Sequence, residues 1–320
     1  MLQIELDIFS GMPNPTWLVA KAQEKTLYEM LRADPGQIAT ATATDKRLGL
    51  GYRGVIVRHI KSDEGAWDKA NSAHRAPLAE EFRLGLKVAK KDSAAAWLVK
   101  NANQHGAGIV DAVHEVVARG IALAPRTRGP ADPTAAIDRK QIETPEVAAD
   151  VPYKRNSKEE HDTWWACGSN YFNANADFFN DPAHVGRNNC YCFASNYRPD
   201  IRYALPGRRG GRPATSITCG GVIDGLRADG WNNGCQTNGL TIVLVIWPGV
   251  DYHFYRLVTG GPYWWWGHKP GGTPAKYTDD CGHAIYQYQG KGYAPNNICR
   301  GSYTDFCDYF YQNNWTAFVA

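Results

Sequence analysis

Three residues in the second half of the chain have the types and order that thiol catalysis needs: Cys190, His253 and His268. Cys190 follows Asn188 and Asn189, and because asparagine is a preferred helix N-cap, a helix is predicted to begin at this cysteine. The partial positive charge at a helix start stabilises a thiolate. An imidazole from a distant part of the chain then supplies the base. The pattern predicts Cys190 as the nucleophile and His253 as its general base.

The residue that orients the base has two candidates. His268 follows the next predicted strand, and Asp251 shares a strand face with His253. We expect His268 to fill this role, because Asp251 would have to reach along its own strand. Each histidine also has a structural explanation. His253 would be a core histidine bonded to a carbonyl, and His268 would be a loop histidine that holds a turn. The predicted reaction is hydrolysis of an amide or peptide bond, with no cofactor and no metal ion.

All eight cysteines lie after residue 160. An even set of cysteines in one half predicts disulfide bonds and an extracellular or cell-envelope location, but it does not select the pairing. A zinc site is the weaker alternative, because Cys190 and Cys192 form a Cys-x-Cys pair and the sequence contains no Cys-x-x-Cys. The N-terminus has no basic region followed by an apolar run, so no signal peptide is predicted in the sequence as it stands.

Aromatic residues are concentrated in the same half of the chain. In the run Tyr263-Trp264-Trp265-Trp266, successive side chains of a strand face opposite ways, so they cannot all enter one core. Exposed rings beside amides are typical of saccharide-binding surfaces. The alternative prediction is therefore a non-catalytic, disulfide-rich extracellular module that binds a glycan or a protein partner through Trp265 and Trp266. The simpler explanation, in which these rings only fill a core, stays open.

The charge balance excludes some classes of protein. The chain has 35 Lys+Arg, 32 Asp+Glu and a net charge of +3, without the basic stripe of a dedicated nucleic-acid binder. No apolar run reaches the length of a membrane span. The cluster Arg208-Arg209-Gly210-Gly211-Arg212 is a short basic loop, which is solvated by default but suited to phosphate or carboxylate.

Composition changes near the middle of the chain, since no Glu follows Glu160 and residues 124–160 are rich in proline and mixed charge. We predict a cysteine-free α+β module over residues 1–123, a linker over 124–160, and a Cys/Trp/Tyr-rich domain over 161–320 that is papain-like or held together by disulfides. The predicted fold class is α+β, and the C-terminal domain combines a mainly antiparallel sheet with the helix bearing Cys190. Strands are predicted at 3–9, 51–57, 240–247, 251–257 and 263–266, and helices at 17–31, 76–90, 93–104, 111–122 and 217–229.

Two sets of motifs resemble segments of other proteins, the first set those of uncharacterised bacterial and phage proteins and the second those of hypothetical bacterial proteins. One set covers roughly residues 187–310 and includes Asn189-Cys190-Tyr191, Asp251-Tyr252-His253-Phe254-Tyr255-Arg256 and His268-Lys269-Pro270-Gly271-Gly272. The other includes Leu6-Asp7-Ile8-Phe9-Ser10-Gly11 and Gly51-Tyr52-Arg53-Gly54. Neither set implies an activity. The order of cysteine, helix, strands and histidine also resembles that of papain-like and NlpC-like thiol hydrolases, which implies the Cys/His chemistry described above.

Overall fold

The structure is a computed structural model, and it describes residues 1–40, 49–60, 80–87, 89–123, 176–234, 239–259, 263–288, 291–292 and 294–320. The chain divides into two compact units. Of the described residues, unit 1 holds 1–8, 13–40 and those from 51 to 123, and unit 2 holds 9–12, 49–50 and those from 176 to 320. The predicted linker, 124–160, lies outside the described residues, so the proposed domain boundaries stay a prediction.

Unit 1 is built on a five-stranded antiparallel sheet. Its strands are β1 (Leu2–Leu6), β2 (Thr16–Val19), β3 (Ala39–Thr40), β4 (Val55–His59) and β5 (Glu81–Leu84), in the order β2-β1-β4-β5-β3. The helix predicted over 76–90 is wrong at residues 81–84, which form β5 and pair with β4. Phe82 and Leu84 are both buried, and an apolar pattern this short fits a strand as well as a helix.

The described residues of unit 1 also form three helices: α1 (Lys21–Ala33), α2 (Ala94–Asn101) and α3 (Asp111–Leu123). Ser93 caps the start of α2, since its Oγ accepts a hydrogen bond of 3.2 Å from the backbone of Ala96. The helix predicted from residue 17 begins only at Lys21, because residues 16–19 pair with β1. Short 3-10 turns lie at Pro35–Gln37, Ala102–His105 and, in unit 2, Val185–Arg187.

Unit 2 contains a six-stranded antiparallel sheet. Its strands are β6 (Gly239–Trp247), β7 (Asp251–Thr259), β8 (Tyr263–His268), β9 (Tyr286–Tyr288), β10 (Lys291–Gly292) and β11 (Asp305–Asn313), in the order β10-β9-β8-β7-β6-β11. The strand predicted at 240–247 is confirmed as β6, and every one of its residues is buried, in keeping with its continuous run of apolar residues. The β6–β7 hairpin turns at Gly249, whose φ of +70° favours glycine.

The helices described in unit 2 are short: α4 (Ala176–Asn180), α5 (Cys190–Ala194) and α6 (Cys219–Ala228). Two disulfides, Cys219–Cys307 and Cys281–Cys299, confirm that this part of the chain is disulfide-bonded. The α+β class and the mainly antiparallel sheet are also confirmed. Among the described helices, none combines the length and the apolar composition of a membrane span.

Candidate functional site

The start of α5 is built as the sequence predicts. Oδ1 of Asn189 accepts a hydrogen bond of 3.2 Å from the backbone of Cys192 and so caps the helix. The amide of the same side chain donates to the carbonyls of Gly11 (3.1 Å) and Ala204 (2.8 Å). All five residues of α5 are buried, so Cys190 lies inside the core of unit 2.

Cys190 is a free, buried thiol that contacts the main chain of β7. Its Sγ lies 3.9 Å from the carbonyl oxygen of Tyr252, and it accepts a hydrogen bond from the backbone of Phe254. Both groups come before the first pair between β7 and β8, which joins Tyr255 to His268. The sulfur is therefore the hydrogen-bond partner of backbone groups of β7 that lie beyond the end of the pairing with β8. Burial, followed by the charge of Asp251, raises the pKa of the Cys190 thiol well above its usual value, which favours the neutral thiol.

The structure brings the two predicted histidines together. Nε2 of His253 lies 2.7 Å from Nδ1 of His268, and Nε2 of His268 lies 2.8 Å from the carbonyl oxygen of Thr278. Because a carbonyl only accepts, we assign the ring proton of His268 to Nε2, so that its Nδ1 accepts from His253. Both side chains are fully buried. Burial, followed by the nearby charge of Lys276, lowers the pKa of His268 well below its usual value, so this ring is neutral.

His253 and α5 lie towards opposite faces of β7. The ring of Phe254 packs 5.1 Å from the ring of Tyr191 in α5, whereas the ring of His253 lies 5.7 Å from Tyr303. Successive side chains of a strand face opposite ways, so His253 projects from the face opposite to Phe254. The arrangement joins His253 to His268 and gives Cys190 main-chain partners. The assignment of these three residues to catalysis stays a prediction.

Asp251, the other candidate for orienting the base, binds a different part of unit 2. Its carboxylate accepts backbone hydrogen bonds from Ser10 (2.6 Å) and Met12 (2.8 Å), and a further bond of 2.5 Å from the hydroxyl of Tyr303. Burial raises the pKa of Asp251 to about 6, against the opposing effect of these hydrogen bonds. Asp251 therefore holds residues 9–12 against the sheet of unit 2.

The two tryptophans predicted to bind a ligand lie in different environments. Trp266 is completely buried, and its ring centre is 6.0 Å from that of Tyr309. Trp265 is partly buried and stacks on Tyr286 at 5.0 Å with an angle of 29°. Successive residues of β8 thus face different surroundings, as the strand geometry requires. Their role in ligand binding stays a prediction, and it rests on Trp265, since Trp266 is closed off from solvent.

One cluster in the described residues has the donor types of a metal site. Asp279, Cys281, His283 and Cys299 place their donor atoms within 4.8 Å of one another. The two sulfurs are bonded to each other, however. The carboxylate of Asp279 accepts backbone hydrogen bonds from Cys281 (3.0 Å), His283 (2.8 Å) and Cys299 (3.1 Å). In this arrangement, the cluster fixes the fold of its loop.

Lys269 is a buried charge whose role the sequence does not reveal. Its ammonium group donates to the carbonyls of Val185 (2.6 Å), Asn188 (2.6 Å) and Gly271 (2.8 Å), and the side chain is completely buried. Three carbonyls offset the cost of burying the charge. The lysine fixes the segment that leads into α5. The only signal in the sequence is its position between a strand and a Pro-Gly-Gly turn, where lysine is ordinarily exposed.

Unit 2 is therefore a disulfide-bonded α+β unit whose core contains a capped helix with a free thiol and a buried, hydrogen-bonded histidine pair. No family model and no solved structure matches the chain. Insoluble matrix shell protein 1 of Ruditapes philippinarum is 40% identical over 128 residues, an alignment that covers 38% of this chain and 76% of that protein. The chain belongs to the family of this shell matrix protein.

The predicted resemblance to uncharacterised bacterial and phage proteins and to papain-like or NlpC-like hydrolases is wrong. The relative that the chain matches is a shell matrix protein, and no family model or solved structure of a thiol hydrolase matches it. A cysteine at a helix start followed by strands with a histidine is too coarse a pattern to define a family, because unrelated folds share it.

Proposed function

We propose that this protein is a non-catalytic, disulfide-stabilised component of an extracellular matrix that assembles with other matrix components. The observation that carries the proposal is the 40% identity over 128 residues with Insoluble matrix shell protein 1. The name of that relative describes a component of an insoluble matrix. Two disulfides among the described residues support an oxidising, extracellular location.

The chemistry of the buried groups also supports a structural role. A nucleophilic cysteine needs a low pKa and access to substrate. Burial instead raises the pKa of Cys190, and its sulfur forms hydrogen bonds with the backbone of β7. The histidine pair is buried in the same unit. His253 is hydrogen-bonded to His268, which in turn is hydrogen-bonded to the carbonyl oxygen of Thr278. The hydrogen bonds given for these groups therefore end on the backbone or on each other's rings inside unit 2.

Binding to insoluble matrix tests the proposal. We expect the folded protein, with its disulfides intact, to remain on demineralised insoluble shell matrix of Ruditapes philippinarum after washing, because a matrix component recognises its neighbours through its folded surface. The bound fraction is measured by immunoblot. The reduced and alkylated protein is the control for folding, and a disulfide-bonded protein of similar charge is the control for non-specific adsorption. Binding no greater than that of the second control would overturn the proposal.

A cysteine hydrolase is the second candidate, because Asn189 caps the helix at Cys190 and His253 pairs with His268. The two candidates differ in the reactivity of Cys190. For a non-catalytic role, we expect iodoacetamide to label Cys190 in the native protein about a hundredfold more slowly than in the unfolded protein, because labelling needs an exposed thiolate. The rate is followed by mass spectrometry of the Cys190 peptide.

The buried neighbour Cys192, whose pKa burial raises to about 11, is the internal control in the same experiment. Equal protection of the two thiols supports the structural role. Fast labelling of Cys190 alone in the native protein, abolished in a His253→Gln variant of unchanged fold, would favour the hydrolase and count against the non-catalytic proposal.

A further inference from the structure

The basic loop of unit 2 has a fixed backbone. The amide of Arg212 donates to the carbonyl of Gly207 at 2.8 Å and closes the loop. The carboxylate of Asp229, at the end of α6, accepts from the amides of Gly207 (2.7 Å) and Gly210 (2.8 Å). Gly207 has a φ of +83°, and a Cβ atom there would lie 1.9 Å from the carbonyl oxygen of Arg212. Sequence reasoning missed Asp229, because its partners become neighbours only in the fold.

The fixed backbone presents three exposed arginines, Arg208, Arg209 and Arg212. Residues 201–213 contain four arginines and no acidic residue, so their positive charge outweighs the single carboxylate of Asp229 that the loop binds. The guanidinium of Arg209 lies 4.8 Å above the ring of Phe318, which limits the positions that this side chain takes. Charges held in place lose less conformational entropy on binding than charges on a flexible loop.

Aromatic rings lie directly beside this loop. The ring of Phe318, which contacts Arg209, also lies 4.9 Å from the ring of Tyr197 in an edge-to-face arrangement. Tyr197 is 38% exposed. The amide of Asn196 donates to the side chain of Asn314 at 2.8 Å and so joins the two segments that carry these rings. The surface therefore offers cationic groups and aromatic rings side by side.

We propose that this surface, formed by Arg208, Arg209, Arg212, Tyr197 and Phe318, binds an acidic polysaccharide. Guanidinium groups pair with carboxylate or sulfate oxygens through two parallel hydrogen bonds. Aromatic rings stack on the apolar faces of sugars, which an acidic peptide does not offer. The combination of rings and arginines thus favours a sugar chain over an acidic protein. The inference rests on the proposed matrix function and names the kind of component that the protein binds.

The test uses the full-length protein with heparin and alginate as acidic polysaccharides, dextran as the neutral polysaccharide and polyglutamate as the acidic peptide. We expect heparin and alginate to bind and dextran not to bind. The triple variant R208Q/R209Q/R212Q should weaken heparin binding by about tenfold or more and reduce its dependence on salt, because three charges leave the surface. The matched control K21Q/R32Q/R119Q removes three positive charges from exposed positions of unit 1 and should leave binding unchanged.

Tyr197→Ala separates the polysaccharide from the peptide, since it should weaken heparin binding and leave polyglutamate binding unchanged. Thermal unfolding and circular dichroism confirm that each variant is folded. Equal loss of binding in the two triple variants, heparin binding that Tyr197→Ala leaves unchanged, or polyglutamate binding as tight as heparin binding would overturn the inference. Binding to shell matrix without any binding to acidic polysaccharide would also overturn it and leave the proposed matrix function intact.

Discussion

Loss of the Cys219–Cys307 disulfide is expected to lower the free energy of unfolding of unit 2 by about 4.5 kcal/mol, the larger effect of the two disulfides among the described residues. The two cysteines are 88 residues apart, and a bond across a long span removes more freedom from the unfolded chain than a bond across a short one. Cys281 and Cys299 are only 18 residues apart. Their bond is expected to contribute about 3 kcal/mol by the same relation.

The matched pair of variants is Cys219→Ser/Cys307→Ser and Cys281→Ser/Cys299→Ser. Each removes one disulfide and two sulfurs, so the number of atoms lost is matched while the length of the closed loop differs. Urea unfolding, followed by circular dichroism, measures the free energy of unfolding of both variants and of the unchanged protein. A loss for the Cys281–Cys299 variant equal to or larger than that for the Cys219–Cys307 variant would contradict the prediction.

Local patterns predict much of unit 2. The apolar run of β6 and the alternation of β7 are visible in the sequence, and both strands are observed. The N-cap at Asn189 follows from the preference of asparagine for that position, and it is also observed. These features depend on neighbouring residues, which is why a single sequence contains the information for them.

Long-range pairings could not be predicted in the same way. Nothing local shows that Asp251 binds the backbone of residues 9–12, which are about 240 positions away. The pairing of Cys219 with Cys307 likewise depends on how α6 and β11 pack. The order of the strands predicts that His268 orients His253, but nothing local predicts the contact of Cys190 with the backbone of β7. That contact depends on where β8 stops pairing with β7.

Asp7 illustrates the same limit in unit 1, where it is the shared partner of two arginines from distant positions. Its carboxylate lies 2.8 Å from Nη2 of Arg53 and 2.6 Å from Nη1 of Arg83, and all three side chains are buried. Replacing Asp7 with asparagine leaves two buried guanidiniums without their counter-charge. We expect Asp7→Asn to lower the free energy of unfolding of unit 1 by about 3–5 kcal/mol.

The same carboxylate predicts how the stability of unit 1 depends on pH. Burial alone would raise the pKa of Asp7, but the charges of Arg53 and Arg83 hold it well below its usual value. A carboxyl group with a lowered pKa in the folded state stabilises the protein at any pH above its unfolded pKa of about 3.9, and this contribution is lost as the pH falls further. Unit 1 should therefore lose stability steeply below about pH 4, and Asp7→Asn should remove most of that slope.

Urea unfolding at a series of pH values, monitored by amide hydrogen exchange in β1 and β4, measures the effect in unit 1 itself. The control variant is Glu29→Gln, which neutralises a carboxylate with 61% of its side chain exposed. It should change the free energy of unfolding by about 0.5 kcal/mol or less, because an exposed ion pair contributes little. A pH profile of Asp7→Asn as steep as that of the unchanged protein would show that the acid sensitivity of unit 1 arises from other carboxylates.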